Sequence, residues 1–374
     1  MAEGWVGQMA FLILVFLTSF TVVLLATPSL IKVAILKRLF DAPGDTRKLH
    51  TRMIPTIGGI MIFAGTIFSF SLWFPNDWIH DSMQLMHAIN DYKFIVSTVL
   101  VMFFVGVKDD IIGTAPVKKL IAHVLVGMVL VLMADIRISS LHGIFGVDVI
   151  PYWASVFLSL FTYIVVVNAF NLIDGVDGLA GGIGLIASSA FGAWFALAGD
   201  PAMAALSFAL AGSLLAFLIF NFSPAKIFMG DSGSLTIGLI VCILAIKLIN
   251  YDVAAIQNEY LLTVSKPLIA ISVLVYPLMD TLRIFIYRAI RGVSPFSADR
   301  NHIHHRLIDI GLSHKRTVIT LYSVNILIIS LPFLFVEMGA TVALLVIVGV
   351  VLSITQIPFF ISKKKNRKPD EQKN

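Results

Sequence analysis

Thiol and charge are both scarce in this chain. A single cysteine, Cys242, stands among 374 residues, so no intrachain disulfide can form. Charged residues make up 13%, about half of the roughly 25% found in soluble domains. No polar stretch is long enough for a separate soluble domain, and no internal repeat is visible. No basic segment is interleaved with stacking aromatics, which argues against a nucleic-acid partner. The first apolar run lacks a basic leading region and a small-residue cleavage site, so it is expected to be a retained helix and not a signal peptide.

What the chain has instead is apolar length. Hydrophobic residues are 58% of it, and the mean hydropathy is +0.93. Crossing a hydrocarbon core takes roughly 20 apolar residues in a helix. Lipid cannot satisfy an open strand edge, and the runs are continuous, not alternating, so helices are expected. Spans are predicted near 7–27, 57–75, 93–107, 120–134, 154–170, 179–198, 202–220, 235–250, 267–286, 317–336 and 340–361. The expected fold is an all-α polytopic membrane protein of about eleven transmembrane helices. Residues 1–361 form a single membrane domain and 362–374 a basic tail.

Basic residues orient it. With eleven spans, every Lys and Arg except Lys93, Arg137, Lys247 and Lys266 falls on one side. The positive-inside rule makes that side cytoplasmic, with the N-terminus out and the C-terminus in. The net charge of +5 is then mostly a topology signal. Polar residues gather on the same side, in four clusters, while the outer loops read as plain connectors.

The first cluster is "GVKDDIIGTAPVKKL". Asp109 and Asp110 repel each other unless a cation or donor lies nearby. They fit a Mg²⁺-phosphate site or a solvated helix end with Lys108, Lys118 and Lys119 as counter-charges. The second is "NAFNLIDGVDGLAGG". Asn168, Asn171, Asp174 and Asp177 recur every third residue, a spacing that drifts around a regular helix. Gly175 and Gly178 therefore suggest a broken helix lining a polar cavity. The third is "NFSPAKIFMGDSGSLTIG". Asp231 lies in a glycine-rich turn entering a helix, where it either caps that helix or holds a metal facing a phosphate. Lys226 adds a nearby charge. The fourth is "DRNHIHHRL". His302, His304 and His305 have no cysteine companion and no i, i+4 metal spacing, so contact with phosphate or sugar is expected over zinc. Arg300 and Arg306 suit bidentate phosphate binding. Lys48 and His50 could assist with an anion, and Asp280 with Arg283 reads as a structural ion pair.

Acids, glycine turns and bases on one face of a membrane protein suit phosphoryl transfer to a lipid. The motifs "KLHTRMIPTIGG", "VKDD", "NAFNLIDGVDGLAGG", "NFSPAKIFMGDSGSL" and "DRNHIHHRL" together resemble the polyprenyl-phosphate N-acetylhexosamine-1-phosphate transferases, from about Lys48 to the tenth span. The resemblance implies helices around a cytoplasmic-facing groove in the inner membrane, Mg²⁺ or Mn²⁺, a UDP-sugar donor and a polyprenyl phosphate acceptor. It implies that Asp231 is a metal ligand with Asn171 beside it on the metal or pyrophosphate, that Asp109 orients or deprotonates the acceptor phosphate with Asp110 assisting, and that Asp174 and Asp177 serve the nucleotide or metal shell. Lys48, Asn168, Lys226, Arg300, His302, His304, His305 and Arg306 would bind substrate. The interrupted histidine run is similar to the UDP-GlcNAc-using branch, which starts cell-envelope polysaccharides such as O-antigen and teichoic acid linkage units. A homodimer is compatible with this reading. The alternatives are a phospho-MurNAc-pentapeptide translocase-type activity and, in another class, an ion-coupled transporter. The transporter reading is opposed by the missing repeat. A CDP-alcohol phosphatidyltransferase is opposed by the missing Arg after "DGVDGLAGG".

Overall fold

The computed structural model describes residues 2–37, 54–256, 258–292 and 302–361. Its long helices are α1 (Ala2–Leu36), α2 (Gly59–Leu72), α3 (Ser82–Ile112), α4 (Pro116–Met128, extended by a π turn over Val129–Met133), α5 (Tyr152–Ile173), α6 (Leu179–Ala198), α7 (Pro201–Asn221) and α8 (Gly230–Asn250). The short α9 (Glu259–Thr263) leads to α10 (Lys266–Val273) and α11 (Val275–Ile290). The short α12 (Ile303–Asp309), α13 (His314–Leu334) and α14 (Ala340–Phe360) follow.

Among the described residues, eight helices are long and apolar enough to cross a membrane, or nine if the bent pair α10–α11 is one span. The chain is a multi-pass membrane protein. The two other expected segments fall on α2, an apolar helix of 14 residues, and on α3, which has 31 residues and carries charge near both ends. The expected span 267–286 is bent by 69° between Val273 and Val275. Pro277 accounts for the break: its ring clashes with the carbonyl four residues back, at Val273, where α10 ends.

Burial separates the centre from the rim. The apolar window of α8 is 94% buried and those of α6 and α7 are 72% buried, whereas α1 and α14 are 22% buried. The central helices therefore pack on protein, and the outer ones present apolar faces outward. Close approach at the centre depends on glycine, because in lipid small residues let backbones touch. A methyl group on Gly59 would lie 2.0 Å from the Gly233 nitrogen, and one on Gly106 would lie 2.5 Å from Ser232 Cα. The start of α8 is thus clasped by α2 on one side and α3 on the other. Backbone bonds reinforce the clasp: Phe228 N–H donates to Pro55 O, Gly58 N–H to Phe228 O and Gly59 N–H to Met229 O, at 2.7, 2.9 and 2.8 Å.

Helices α3 and α8 run antiparallel. At one end lie Asp109, Asp110 and Asp231. At the other, Lys247 Nζ meets Asp91 Oδ2 at 2.5 Å. That far end departs from the all-helical expectation and is no plain connector. A hairpin of β1 (Ser140–Ile144) and β2 (Val147–Val149) precedes α5. It is latched to the bundle by His142 on the Ile249 carbonyl, by Ser139 on Asn250, and by Phe145 N–H on Thr341 Oγ1.

We predict that Gly106→Val overpacks the clasp and destabilises the fold by about 1–3 kcal/mol. Thermal unfolding of the purified protein in detergent measures this. An unchanged midpoint would refute the glycine contact.

Candidate active site

The end of α8 organises the acids. A helix start leaves N–H groups without intrahelical partners. Here they are met from another helix: Asp110 Oδ1 accepts from Asp231 N–H at 2.7 Å, and Oδ2 accepts from Ser232 N–H at 3.0 Å. Gly230, with φ of +70°, makes the entry turn, and a methyl group there would lie 2.7 Å from both Asp110 oxygens. The capping carboxylate is therefore Asp110, not Asp231. This frees the Asp231 side chain, which accepts from Asn171 Nδ2 at 2.7 Å and pairs with Lys119 Nζ. Asn171 also donates to Ser234 Oγ at 2.9 Å. Lys119 reaches Asp109 Oδ2 at 3.5 Å. One ammonium thus sits between two carboxylates from different helices.

The second cluster is helical for longer than its spacing suggests. Helix α5 holds to Ile173, and only 174–178 is broken. Asn168 stays on the helix, donates to the Ile164 carbonyl at 2.7 Å and lies 3.3 Å from His123 Nδ1. Asp174 ends the helix. Burial, together with the charges of Asp231, Asp110 and Asp177, pushes its carboxyl well above the ordinary range. Asp177 accepts from Ala225 N–H at 3.0 Å, and Gly178 N–H donates to Asn221 Oδ1 at 3.0 Å. These bonds tie the turn to the loop before α8. The Tyr322 hydroxyl donates to the Gly178 carbonyl from α13. Lys226 is exposed at the loop.

The histidines arrive from α12. Asp280, fully buried in α11, accepts from Ile303 N–H at 2.7 Å and meets His302 Nδ1 at 2.7 Å. The expected partner of Asp280, Arg283, lies over the Phe359 ring at 3.5 Å. His304 stacks on His302 with centroids 5.2 Å apart. Its Nε2 lies 3.4 Å from where a methyl group on Gly175 would sit, which joins the fourth cluster to the second. Burial pushes the His304 imidazole down to about 3, so it is neutral. His305 packs on His304 at 4.4 Å. Arg306 turns elsewhere: it donates to the Pro358 and Ile361 carbonyls at 3.0 and 2.8 Å, at the end of α14. Lys48, His50 and Arg300 lie outside the described residues.

Among the described residues, two groups of side chains invite a cation. Around Asp231 the donors are oxygens, from Asp231, Asp109 and the Asn171 amide, and the Lys119 ammonium already marks a point where positive charge is held. Hard oxygen ligands of this kind suit Mg²⁺. Ligand atoms of Asp280, His302 and His304 also lie within 4.8 Å of one another. That set is nitrogen-rich, and both Asp280 oxygens already accept hydrogen bonds. The Asp231 group is the better fit to Mg²⁺.

Three site-wall features were not singled out as functional from the sequence. Lys119 figured there only as a counter-charge. His123, buried one turn after it on α4, and Asp280 are the others. The i, i+4 spacing of Lys119 and His123 was the available signal for that wall.

A bundle of apolar helices that gathers carboxylates, amides, a lysine and histidines at one end defines a membrane-embedded group-transfer enzyme. The family Glycosyl transferase family 4 matches residues 92–249. A Salmonella typhi protein named undecaprenyl-phosphate alpha-N-acetylglucosaminyl 1-phosphate transferase is 32% identical over 295 residues, covering 77% of this chain and 74% of its own length. The protein of that name in Escherichia coli strain K12 is 31% identical over 301 residues, with the same coverage. A Bacillus subtilis strain 168 protein, named "Probable undecaprenyl-phosphate N-acetylglucosaminyl 1-phosphate transferase", is 31% identical over 320 residues, covering 85% of this chain and 83% of its own. The chain belongs to glycosyl transferase family 4 and is a transferase.

Removing the capping carboxylate with Asp110→Ala should cost about 0.5–2 kcal/mol of stability, and Asp110→Asn, which keeps an acceptor, should cost less. Thermal unfolding in detergent without substrate reads both. Equal, negligible losses would argue against the cap.

Proposed function

We propose that this protein transfers N-acetylglucosamine 1-phosphate from UDP-GlcNAc to undecaprenyl phosphate and so starts a cell-envelope polysaccharide. The observation that carries the reading is the meeting of Asp109, Asn171 and Asp231 around the Lys119 ammonium at one end of the bundle. The names of the relatives point to the same donor sugar and lipid. The eleven-span topology, with the N-terminus outside and the acid cluster facing the cytoplasm from the inner membrane, belongs to this proposal. It follows from the distribution of Lys and Arg. Residues 1–361 act as one catalytic domain, with 362–374 as a basic tail. A homodimer is compatible with the apolar outer faces.

In this reaction an oxygen of the lipid phosphate attacks the β-phosphorus of the donor. The bond between that phosphorus and the oxygen bridging to the α-phosphate breaks. UMP leaves, and a lipid-pyrophosphate-sugar forms. A phosphate monoester has a second pKa of about 6, so the acceptor needs placing more than deprotonating. Asp109 orients it. Asp231 and Asn171 would hold Mg²⁺, or Mn²⁺, which would supply charge neutralisation to the diphosphate. Asp110 acts through the helix it caps. Lys119 balances Asp109 and Asp231 and is a point charge for phosphate. Asp174 faces the nucleotide, and Asp177 fixes the turn that carries it. Asn168 fixes the wall beside His123. His302, His304 and His305 receive the pyrophosphate and sugar, and Lys48, Lys226 and Arg300 complete the basic rim. Arg306 anchors α14 to that rim.

Purified protein in detergent should release UMP from UDP-GlcNAc when undecaprenyl phosphate and Mg²⁺ are present. EDTA should stop release, and excess Mg²⁺ should restore it. Asp231→Ala should lower kcat by about 100-fold or more, as expected for loss of a group that stabilises transition-state charge. Failure of the wild-type protein with every UDP-sugar tried would sink the reading.

A further inference from the structure

Asp280 has no part in the chemistry proposed so far, yet it is among the most buried carboxylates described. It has no solvent exposure, and it lies on α11, beyond the bend at Leu274. Burying an ionised carboxylate is costly unless hydrogen bonds and charge compensate. The compensation comes from one place, the start of α12. Oδ1 accepts the Ile303 N–H at 2.7 Å, and Oδ2 sits 2.7 Å from His302 Nδ1. The first contact caps a helix. The second does something a cap does not require: it holds a proton on Nδ1 of His302. A carboxylate can only accept, so Nδ1 donates. The ring is then set in one orientation, stacked at 12° on His304, and Nε2 remains for a ligand. His304 in turn meets Gly175 of the turn between Asp174 and Asp177.

We propose that Asp280 is a positioning residue for the transfer: it keeps Nδ1–H of His302 on its carboxylate, so that in the imidazolium form the Nε2–H is aimed at the donor's diphosphate. The proposal rests on the transferase reading above. A carboxylate behind a ligand-binding histidine sets its tautomer, its orientation and its basicity. Here the carboxylate comes from a different helix, so the bend that separates α10 from α11 also delivers the partner of the histidine motif.

The test separates positioning from capping. Asp280→Asn keeps an oxygen for the Ile303 N–H but replaces the acceptor facing His302 with an amide donor. It should retain the wild-type unfolding midpoint and lower kcat for UMP release by about 10–100-fold, the usual effect of losing a partner behind a ligand-binding side chain. KM for undecaprenyl phosphate should stay unchanged. His302→Gln should show a loss of at least that size. The double variant should lose no more than about twofold beyond His302→Gln alone, because residues acting as one unit are not additive. Near-normal kcat in Asp280→Asn, or losses that multiply in the double variant, would overturn the proposal.

If the wild-type protein itself releases no UMP, the transferase reading fails and a spectroscopic arm decides the pairing. ¹⁵N-histidine NMR, with His302 assigned by its loss in His302→Gln, should show a protonated Nδ1 in the wild type that is lost in Asp280→Asn. An unprotonated Nδ1 in the wild type would overturn the pairing on its own.

Discussion

The carboxylate of Asp110 receives two backbone N–H groups from the first turn of α8, and the geometry of the acid end follows from that contact. Without an outside acceptor, the start of a helix inside a bundle would leave donors unsatisfied. Because α3 supplies the carboxylate, Asp231 is free to turn toward Asn171 and Lys119. The same contact fixes the spacing between Asp109 and Asp231, since Asp109 is the neighbour of the capping residue and Asp231 is a capped one. Gly230 and Gly106 are what let the two helices come close enough. A packing constraint and an electrostatic one are thus met by the same few atoms.

The device occurs twice. Asp280 does for α12 what Asp110 does for α8: it lends a buried carboxylate from a long helix to the start of the next element. In each case the adjoining residue carries chemistry, Asp109 in one and His302 in the other. Both capped helix starts meet the end of α5 and its turn, α8 through Asp231 on Asn171 and α12 through His304 beside Gly175. That turn is pinned by Asn221, Ala225 and Tyr322, so its backbone is held by groups outside the reacting set. Rigid supports around a few polar groups are what catalysis by positioning needs.

Much of this was legible in the sequence. Long apolar runs located the helices from α4 to α8 and from α13 to α14, because lipid permits few alternatives to a helix. Asp231 stood out through its glycines, and Asn171 through its spacing. What the sequence hid was partnership across long separations. Asp110 and Asp231 are far apart in the chain, and no local rule tells which of them caps α8. Asp280 read as a partner for Arg283 by helical spacing, but a buried carboxylate goes to the donor that compensates its burial best. Arg306 read as a phosphate ligand because it flanks histidines, whereas the last carbonyls of α14 lie within its reach. The spacing of Asn168, Asn171, Asp174 and Asp177 suggested that all four lie off a regular helix. The helix runs through both asparagines and breaks at Asp174, since an asparagine within a helix can satisfy itself on the preceding turn, as Asn168 does on Ile164. The bend at Leu274 was written in Pro277, but an apolar run conceals its own breaks.

The antiparallel pair α3–α8 is held at both ends by charge, at Asp91–Lys247 and at the acid cluster. Between Asp231 and Lys247 the helix rises about 24 Å, close to the thickness of a hydrocarbon core. Such a strut cannot shorten or slide without unpairing a charge inside the bundle. The polar end therefore sits at a set height, and a bilayer thicker or thinner than the strut must deform around the protein. A long isoprenoid carrying a phosphate would meet the acids at a level fixed by the helix pair and not by the membrane in which it travels.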